Sequence, residues 1–172
     1  ALAFGLAPAR HALGGDLATA TEALTVGSIT FAVFTQPEQG RELWRTDGTS
    51  AGTTLLRDLE PGSLGSEPRN FTSMSGVLYF TAMTRDFGTE LWRSDGTTAG
   101  TYLVRDIYPG AESSSPLDLT VSGGALFFSA VQPASGRELW RSDGTSAGTV
   151  LVADLRPGVS SSMSTSSEIA AG

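Results

Sequence analysis

Short runs of β-branched and aromatic residues recur along the chain, separated by turns that contain Gly, Pro and Ser. In the best-defined unit these runs occupy 77–82, 90–93 and 102–107. Such residues favour strands, because their side chains pack well on a pleated surface. A fourth, shorter strand is expected around 70–74, followed by a Ser-Gly turn. The pattern therefore predicts four strands per unit, joined by short loops.

The strand at 77–82 is apolar on both of its faces. Side chains alternate along a strand, so Val77 and Tyr79 point one way while Leu78 and Phe80 point the other. A sheet of this kind has to be covered on both sides, and no segment has the amphipathic helical period that would supply a cover. We therefore predict that neighbouring units sandwich the sheet.

One string of residues recurs at a constant spacing. The sequence Glu-Leu-Trp-Arg occurs three times, and its tryptophans, Trp44, Trp92 and Trp140, are 48 residues apart. Asp-Gly-Thr and then Ala-Gly-Thr follow each copy at a fixed distance. A Pro-Gly pair ends each unit, at Pro61-Gly62, Pro109-Gly110 and Pro157-Gly158. These are tandem copies of one structural unit.

The period and the strand count together predict the fold. Four-stranded sheets that recur at about 48 residues and pack face to face are typical of a β-propeller. We predict an all-β, β-propeller-like array of four-stranded antiparallel blades, with a β-solenoid of shorter coils as the alternative. Propellers carry about 4 to 8 blades, and this chain holds only about three and a half units. It is therefore expected to be a partial propeller or a fragment of a longer array.

The repeats divide the chain into three regions. Residues 23–162 form the array, residues 1–22 match it poorly and are interpreted as a degenerate N-terminal segment or cap, and residues 163–172 are a Ser-rich tail. Residues 1–9 end in a small-x-small pattern like the tail of a secretory signal, but they lack a basic start.

Composition excludes several classes of function. The chain has 18 acidic and 11 basic residues and a net charge of −7, without a basic stripe, so nucleic acid is not an expected partner. The absence of cysteine excludes disulfides, thiolate chemistry and sulfur-ligated metals. No apolar run approaches the length of about 20 residues that a transmembrane helix needs.

Two repeated sets of residues are candidate ligand-binding sites. The three tryptophans would stack on sugar rings in sites between blades, although packing in the core is the preferred interpretation, because each lies mid-strand beside a leucine. Asp47, Asp95 and Asp143 would offer carboxylates to calcium, but calcium prefers six or more oxygens. An Asx-type turn is the preferred role for these aspartates. No cofactor is predicted, and calcium is left open.

Other charged residues are copied with the repeat and are not expected to be catalytic. Glu42 and Arg45, like their equivalents, lie three apart on a strand and so point to opposite faces. This favours pairing with neighbouring strands or blades. Asp58 and its equivalents end the last strand of each unit, whereas active sites are normally singular. His11, the only histidine, belongs to no triad pattern and is expected to be exposed. We predict no enzymatic activity.

The repeated string resembles a known family. Glu-Leu-Trp-Arg-(Ser/Thr)-Asp-Gly-Thr-(Ser/Thr)-Ala-Gly-Thr, followed by a Leu/Val strand, an Asp and Pro-Gly, is similar to the ELWxxDGT repeat of bacterial proteins. The resemblance covers residues 23–162. It implies large, secreted or surface-attached bacterial proteins of propeller-like architecture, without a general enzymatic activity.

Three functions are compatible with these features. The preferred one is a non-catalytic extracellular scaffold or binding module, which mediates protein contacts or surface assembly with other chains or with further repeats of the array. The second is a carbohydrate-binding, lectin-like propeller with repeated sites between blades. The third is an accessory region of a larger secreted enzyme.

Overall fold

The computed structural model describes residues 20–49 and 51–154, which form β-strands and contain no helix. In chain order the strands are β1 (Ala23–Val26), β2 (Ile29–Gln36), β3 (Gly40–Thr46), β4 (Thr54–Leu55), β5 (Arg69–Met74), β6 (Val77–Thr84), β7 (Gly88–Ser94), β8 (Tyr102–Arg105), β9 (Leu117–Ser122), β10 (Ala125–Gln132), β11 (Gly136–Ser142) and β12 (Val150–Ala153). Nothing in this part of the chain is a helix capable of crossing a membrane.

Each group of four consecutive strands forms one antiparallel sheet. Sheet 1 has the order β1-β2-β3-β4, sheet 2 the order β5-β6-β7-β8, and sheet 3 the order β9-β10-β11-β12. The predicted all-β class and the four strands per unit are confirmed. The Pro61-Gly62 and Pro109-Gly110 pairs lie in the linkers between sheets. His11, Pro157-Gly158 and the Ser-rich tail lie outside the described residues.

The predicted end of the last strand of the second unit is wrong. The run at 102–107 was expected to be a single strand, but β8 ends at Arg105. The backbone N–H groups of Ile107 and Tyr108 turn away from the sheet and donate to the carboxylate of Glu90. Ile107 is nevertheless buried, in the hydrophobic cluster that sheets 2 and 3 share.

Sheets 1 and 2 pack face to face. Phe31 and Leu43 of sheet 1 share one hydrophobic cluster with Phe80 and Trp92 of sheet 2, and all four are buried. Phe71 of β5 meets the Phe80 ring edge-on, with ring centroids 6.1 Å apart, an arrangement that aromatic pairs favour. This face of sheet 2 is therefore covered by sheet 1.

The opposite face of sheet 2 packs on sheet 3. Tyr79 and Leu91 of sheet 2 form a second cluster with Phe128 and Trp140 of sheet 3. Residues that alternate along β6, such as Tyr79 and Phe80, thus enter different cores. The prediction that neighbouring units sandwich a sheet is confirmed for sheet 2.

The glycine of each Asp-Gly-Thr loop lies where one sheet approaches the next. Gly96 and Gly144 are buried, and a Cβ on either would overlap a side chain of the preceding sheet, Ile29 or Tyr79 respectively. Gly48 of sheet 1 is exposed, and a Cβ there would meet no atom within 4 Å. The close approach of the sheets therefore requires glycine in sheets 2 and 3.

We expect Gly144→Ala to destabilise the protein more than Gly48→Ala does. Both glycines have a φ of 91°, so alanine is strained to the same degree at either position, by about 1 kcal/mol. Only Gly144→Ala adds an overlap with the Tyr79 hydroxyl. Chemical denaturation followed by circular dichroism measures the difference, and equal losses in the two variants would contradict this contact.

Candidate functional site

The Asp-Gly-Thr loop after β3 is closed by its own side chains. The Asp47 carboxylate accepts hydrogen bonds from the backbone N–H of Thr49, at 2.9 Å, and from its hydroxyl, at 2.7 Å. The Thr49 hydroxyl oxygen accepts from the N–H of Gly52, and the Thr53 hydroxyl donates to the carbonyl of Thr49. A Cβ on Gly52 would overlap the Asp47 carboxylate, so the Ala-Gly-Thr string has its glycine where the loop is tightest.

The other two copies repeat this loop. Asp95 accepts from Thr97, and Asp143 accepts from Thr145, through the same pair of bonds. These hydrogen bonds hold the pKa of all three aspartates below its ordinary value. The predicted Asx-type role is confirmed, whereas ligand binding by these aspartates stays a prediction. In the part of the chain that the structure describes, no three or more His, Cys, Asp or Glu residues cluster as metal ligands.

The three tryptophans are core residues. Trp44, Trp92 and Trp140 are 6%, 5% and 3% exposed, which confirms the preferred interpretation. Their indole faces are covered, so stacking on a sugar at three equivalent positions has no support in this arrangement. The indole N–H of each finds no acceptor among the described residues, and a buried donor without a partner is uncommon in proteins.

A buried glutamate in β3 holds the linker between sheets 1 and 2. The Glu42 side chain has no solvent exposure. It accepts from the backbone N–H of Glu60 at 3.1 Å, from the N–H of Ser66 at 2.8 Å and from the Ser66 hydroxyl at 2.6 Å. The carboxylate thus joins two points of the linker to the middle of sheet 1.

Glu90 does the same for the linker between sheets 2 and 3. It is fully buried and accepts from the N–H groups of Ile107, Tyr108 and Ser114 and from the Ser114 hydroxyl. Burial raises the pKa of Glu42 to about 6 and that of Glu90 to about 7, although the hydrogen bonds act in the opposite direction. Glu138, the third copy, is also fully buried.

Sequence reasoning missed these linker contacts, although a signal was present. Ser66 and Ser114 each follow their glutamate by 24 residues. Ser162 stands at the same distance from Glu138 in the sequence, but it lies outside the described residues. A serine at a fixed distance from a repeated glutamate would have indicated the pair.

Arginines on the opposite face of the same strands reach the next sheet. Arg45 of sheet 1 donates to the carbonyl of Gly96 in sheet 2 at 3.1 Å, and Arg93 of sheet 2 donates to that of Gly144 in sheet 3 at 3.3 Å. Both acceptors belong to Asp-Gly-Thr loops. The predicted pairing with a neighbouring blade is confirmed for Arg45 and Arg93, whereas it is wrong for Glu42 and Glu90, which bind the linkers instead.

A second arginine contact, which the sequence analysis did not identify, lies beside the first. Arg57 donates to the carbonyl of Thr101 at 3.0 Å, and Arg105 donates to that of Thr149 at 2.6 Å. The equivalent position in sheet 3 is Ala153. Each of the two interfaces between described sheets therefore has two arginine bonds, and sheet 3 carries only the first arginine of the pair.

The prediction that Asp58 and its equivalents end the last strand of each unit is wrong, because the strands end before them, and Asp58 and Asp106 lie in the linkers. One carboxylate oxygen of Asp58 and one of Asp106 are buried without a donor among the described residues. The other oxygen of Asp106 accepts from the N–H of Gly110 at 3.1 Å, in the Pro-Gly turn. Asp154 is exposed.

Two clefts on the surface of the described residues each contain a residue of the predicted ligand set. The smaller, of about 230 Å³, lies by the first Asp-Gly-Thr loop and is lined by Asp47 and Arg45 among others. The larger, of about 320 Å³, lies between sheets 1 and 2 and includes Trp92 in its lining. Neither cleft brings a tryptophan and an aspartate of the predicted ligand set together.

Comparison of the chain with protein-family models, with curated proteins and with solved structures finds no match. The resemblance of the repeated string to the ELWxxDGT family therefore stays a prediction.

The free energy of unfolding is expected to fall as the pH rises from about 4.5 to about 7. In this window the folded chain binds more protons than the unfolded chain, because the pKa values of Glu42 and Glu90, about 6 and about 7, exceed the ordinary value of 4.5. Protonation of the two carboxylates contributes its full stabilisation at pH values below their ordinary pKa. This contribution is lost as the pH rises through their pKa values in the folded chain. One pKa unit corresponds to about 1.4 kcal/mol, so the total is a few kcal/mol.

Urea denaturation at a series of pH values measures this slope, and Glu90→Gln is the informative variant. The glutamine keeps an acceptor oxygen for the Ser114 N–H and resembles the protonated acid, but it does not titrate. We expect a smaller pH dependence in this variant than in the wild type. An unchanged slope would show that Glu90 is not a source of it.

Proposed function

We propose that this chain is part of a β-propeller that serves as a non-catalytic scaffold or binding module, exported from a bacterial cell. In this proposal its sheets and loops contact other protein chains or further repeats of the same array. The period of 48 residues would then be the length of one blade. The bacterial and extracellular setting follows from the resemblance of the repeat.

The direction of the arginine contacts is the observation that carries the proposal. Sheet 1 donates through Arg45 to the loop of sheet 2, and sheet 2 donates through Arg93 to the loop of sheet 3. Arg141 stands at the same position of β11 and is exposed, and none of the described residues accepts from it. The same contact can therefore be made once more, to a further sheet of this type.

The number of sheets supports extension of the array. Closed propellers have about 4 to 8 blades, whereas the described part of this chain contains three four-stranded sheets. Ring closure would need additional sheets, from the same protein or from another chain. Additional sheets of either origin are compatible with a role in protein contacts or surface assembly.

Three of the repeated polar positions are occupied by contacts within the fold, which supports a non-catalytic role. Asp47 closes its own loop, Glu42 holds a linker and Arg45 joins two sheets. A residue that is copied into each unit for such a purpose has its hydrogen-bonding groups already engaged. If the parent protein is an enzyme, this array would be its accessory region.

The mass of the native particle tests this proposal. Light scattering of the chain, together with the intact mass of the product from its source, is expected to show either a defined oligomer or a polypeptide longer than 172 residues. The added sheets would cover the face that carries Arg141. A source product that is a monomer of 17.8 kDa would contradict ring closure.

Two variants, Arg141→Ala and Arg93→Ala, distinguish the contacts between chains from the contacts within one chain. Arg93→Ala is expected to lower the stability of the single chain by about 1 kcal/mol, because it removes a hydrogen bond between sheets 2 and 3. Arg141→Ala is expected to leave that stability unchanged and to weaken association with the next sheet. Equal effects of the two variants on both measurements would argue against the proposed extension.

A further inference from the structure

The Asp-Gly bond in each repeated loop can rearrange chemically. The backbone nitrogen of a glycine can attack Cγ of the preceding aspartate, because glycine has no Cβ to hinder the approach. The attack forms a five-membered imide ring and releases one water, and hydrolysis of the ring takes the water back. Opening at the side-chain carbonyl restores aspartate. Opening at the main-chain carbonyl instead routes the backbone through Cγ and produces isoaspartate.

The three copies of this bond have the same local chemistry. Asp47-Gly48, Asp95-Gly96 and Asp143-Gly144 are each followed by threonine, and all three aspartates are exposed. In each loop the glycine N–H donates to the hydroxyl of the residue before the aspartate. The threonine after the glycine holds the carboxylate in each loop as well. A difference in rate between the copies therefore has to come from contacts outside the loop.

Ring formation displaces the glycine from its place in the folded loop. The glycine nitrogen must come within bonding distance of Cγ, and the rest of the glycine, including its carbonyl, moves with it. The imide nitrogen carries no hydrogen, so the hydrogen bond from the glycine N–H is lost in all three copies. Any further bond to the glycine carbonyl opposes the same movement.

Two arginines of the preceding sheet hold each of the later loops. One donates to the carbonyl of the loop glycine, and the other donates to the carbonyl of the threonine that ends the loop. For loop 95–101 they are Arg45 and Arg57, and for loop 143–149 they are Arg93 and Arg105. These loops are therefore fixed at both ends by another sheet.

The first loop lacks this restraint. Among the described residues, no side chain donates to the carbonyl of Gly48 or of Thr53. Gly48 is exposed, and a Cβ there would meet no atom within 4 Å, whereas Gly96 and Gly144 are buried against the preceding sheet. Loop 47–53 is therefore closed only by bonds within its own sheet.

We propose that Asp47 is a site of isoaspartate formation in the folded chain, and that Asp95 and Asp143 are protected by the arginines of the sheet before them. Isoaspartate keeps one carboxylate and the same mass, and it lengthens the backbone by one carbon. At Asp47 the longer backbone lies in a loop that supports no contact between described sheets. The site goes beyond the scaffold function and does not depend on it, since the argument uses only contacts within this chain.

The three rates can be measured in one sample of the native chain. Cleavage after arginine places the three aspartates on different peptides. After incubation at physiological temperature and pH, electron-transfer fragmentation locates isoaspartate, and an isoaspartyl methyltransferase with labelled S-adenosylmethionine counts it independently. We expect isoaspartate to form about tenfold faster at Asp47 than at the other two, the kinetic effect of one or two hydrogen bonds. Equal rates, or the slowest rate at Asp47, would overturn the proposal.

The unfolded chain and two variants provide the controls. In guanidinium chloride the three rates should become equal, and a preference for Asp47 that persists there would trace to the sequence and not to the fold. Arg45→Ala should raise the rate at Asp95 severalfold and leave Asp143 unchanged. Arg93→Ala should do the reverse, so each later loop is the control for the other. Unchanged rates in both variants, with folding verified by circular dichroism, would show that the arginines give no protection.

Discussion

The carboxylate of Glu42 binds the linker that leads from sheet 1 to sheet 2, and the carboxylate of Glu90 binds the next linker in the same way. Linker residues belong to no strand ladder, so their backbone N–H groups need acceptors from elsewhere. An ionised carboxylate only accepts and has about four lone-pair sites, which suits several N–H groups converging on one point, whereas an amide would present donors to donors. The cost of burying this charge shows in the raised pKa of both groups. These bonds act together with the packing of Leu59 and Ile107 of the linkers in the cores between the sheets.

Hydrophobic packing holds the sheets together, but the arginines give their contact a direction. The free energy of apolar contact is roughly proportional to the buried area and has little directional preference. Two apolar sheet faces alone could therefore shift relative to one another. Each described interface adds a guanidinium that donates to the glycine carbonyl of the next Asp-Gly-Thr loop. The Asx-type bond to Asp95 or Asp143 fixes that loop. The Asx-type bond in the exposed loop therefore also stabilises the contact between the two sheets.

The features that sequence analysis predicted are those that depend on near neighbours. Strand alternation, the burial of Trp92 and the turn at Asp95 follow from residues a few positions apart. The Glu90 and Arg93 contacts join residues 24 and 51 positions apart. The repeated serine indicates the first of them, but finding the second needs the order in which the sheets pack. The end of β8 was missed for the same reason, since the Ile107 N–H leaves the ladder for an acceptor in another strand. The cleft between sheets could not be predicted, because its walls come from two units.

Residues that recur at the same position of each unit build the array, whereas residues that differ between units distinguish one sheet from another. Position 57 and its copy 105 are arginines that bind the following sheet, but the third copy is Ala153. Val150 and Val152 beside it are 40% and 47% exposed. A sheet that docks there would meet Arg141 and an apolar surface but only half of the arginine contacts of the inner interfaces. The exposed face of sheet 3 thus differs from the two faces that are covered in the array, and under the proposed extension a sheet that packs on it would make fewer arginine hydrogen bonds than the described interfaces have.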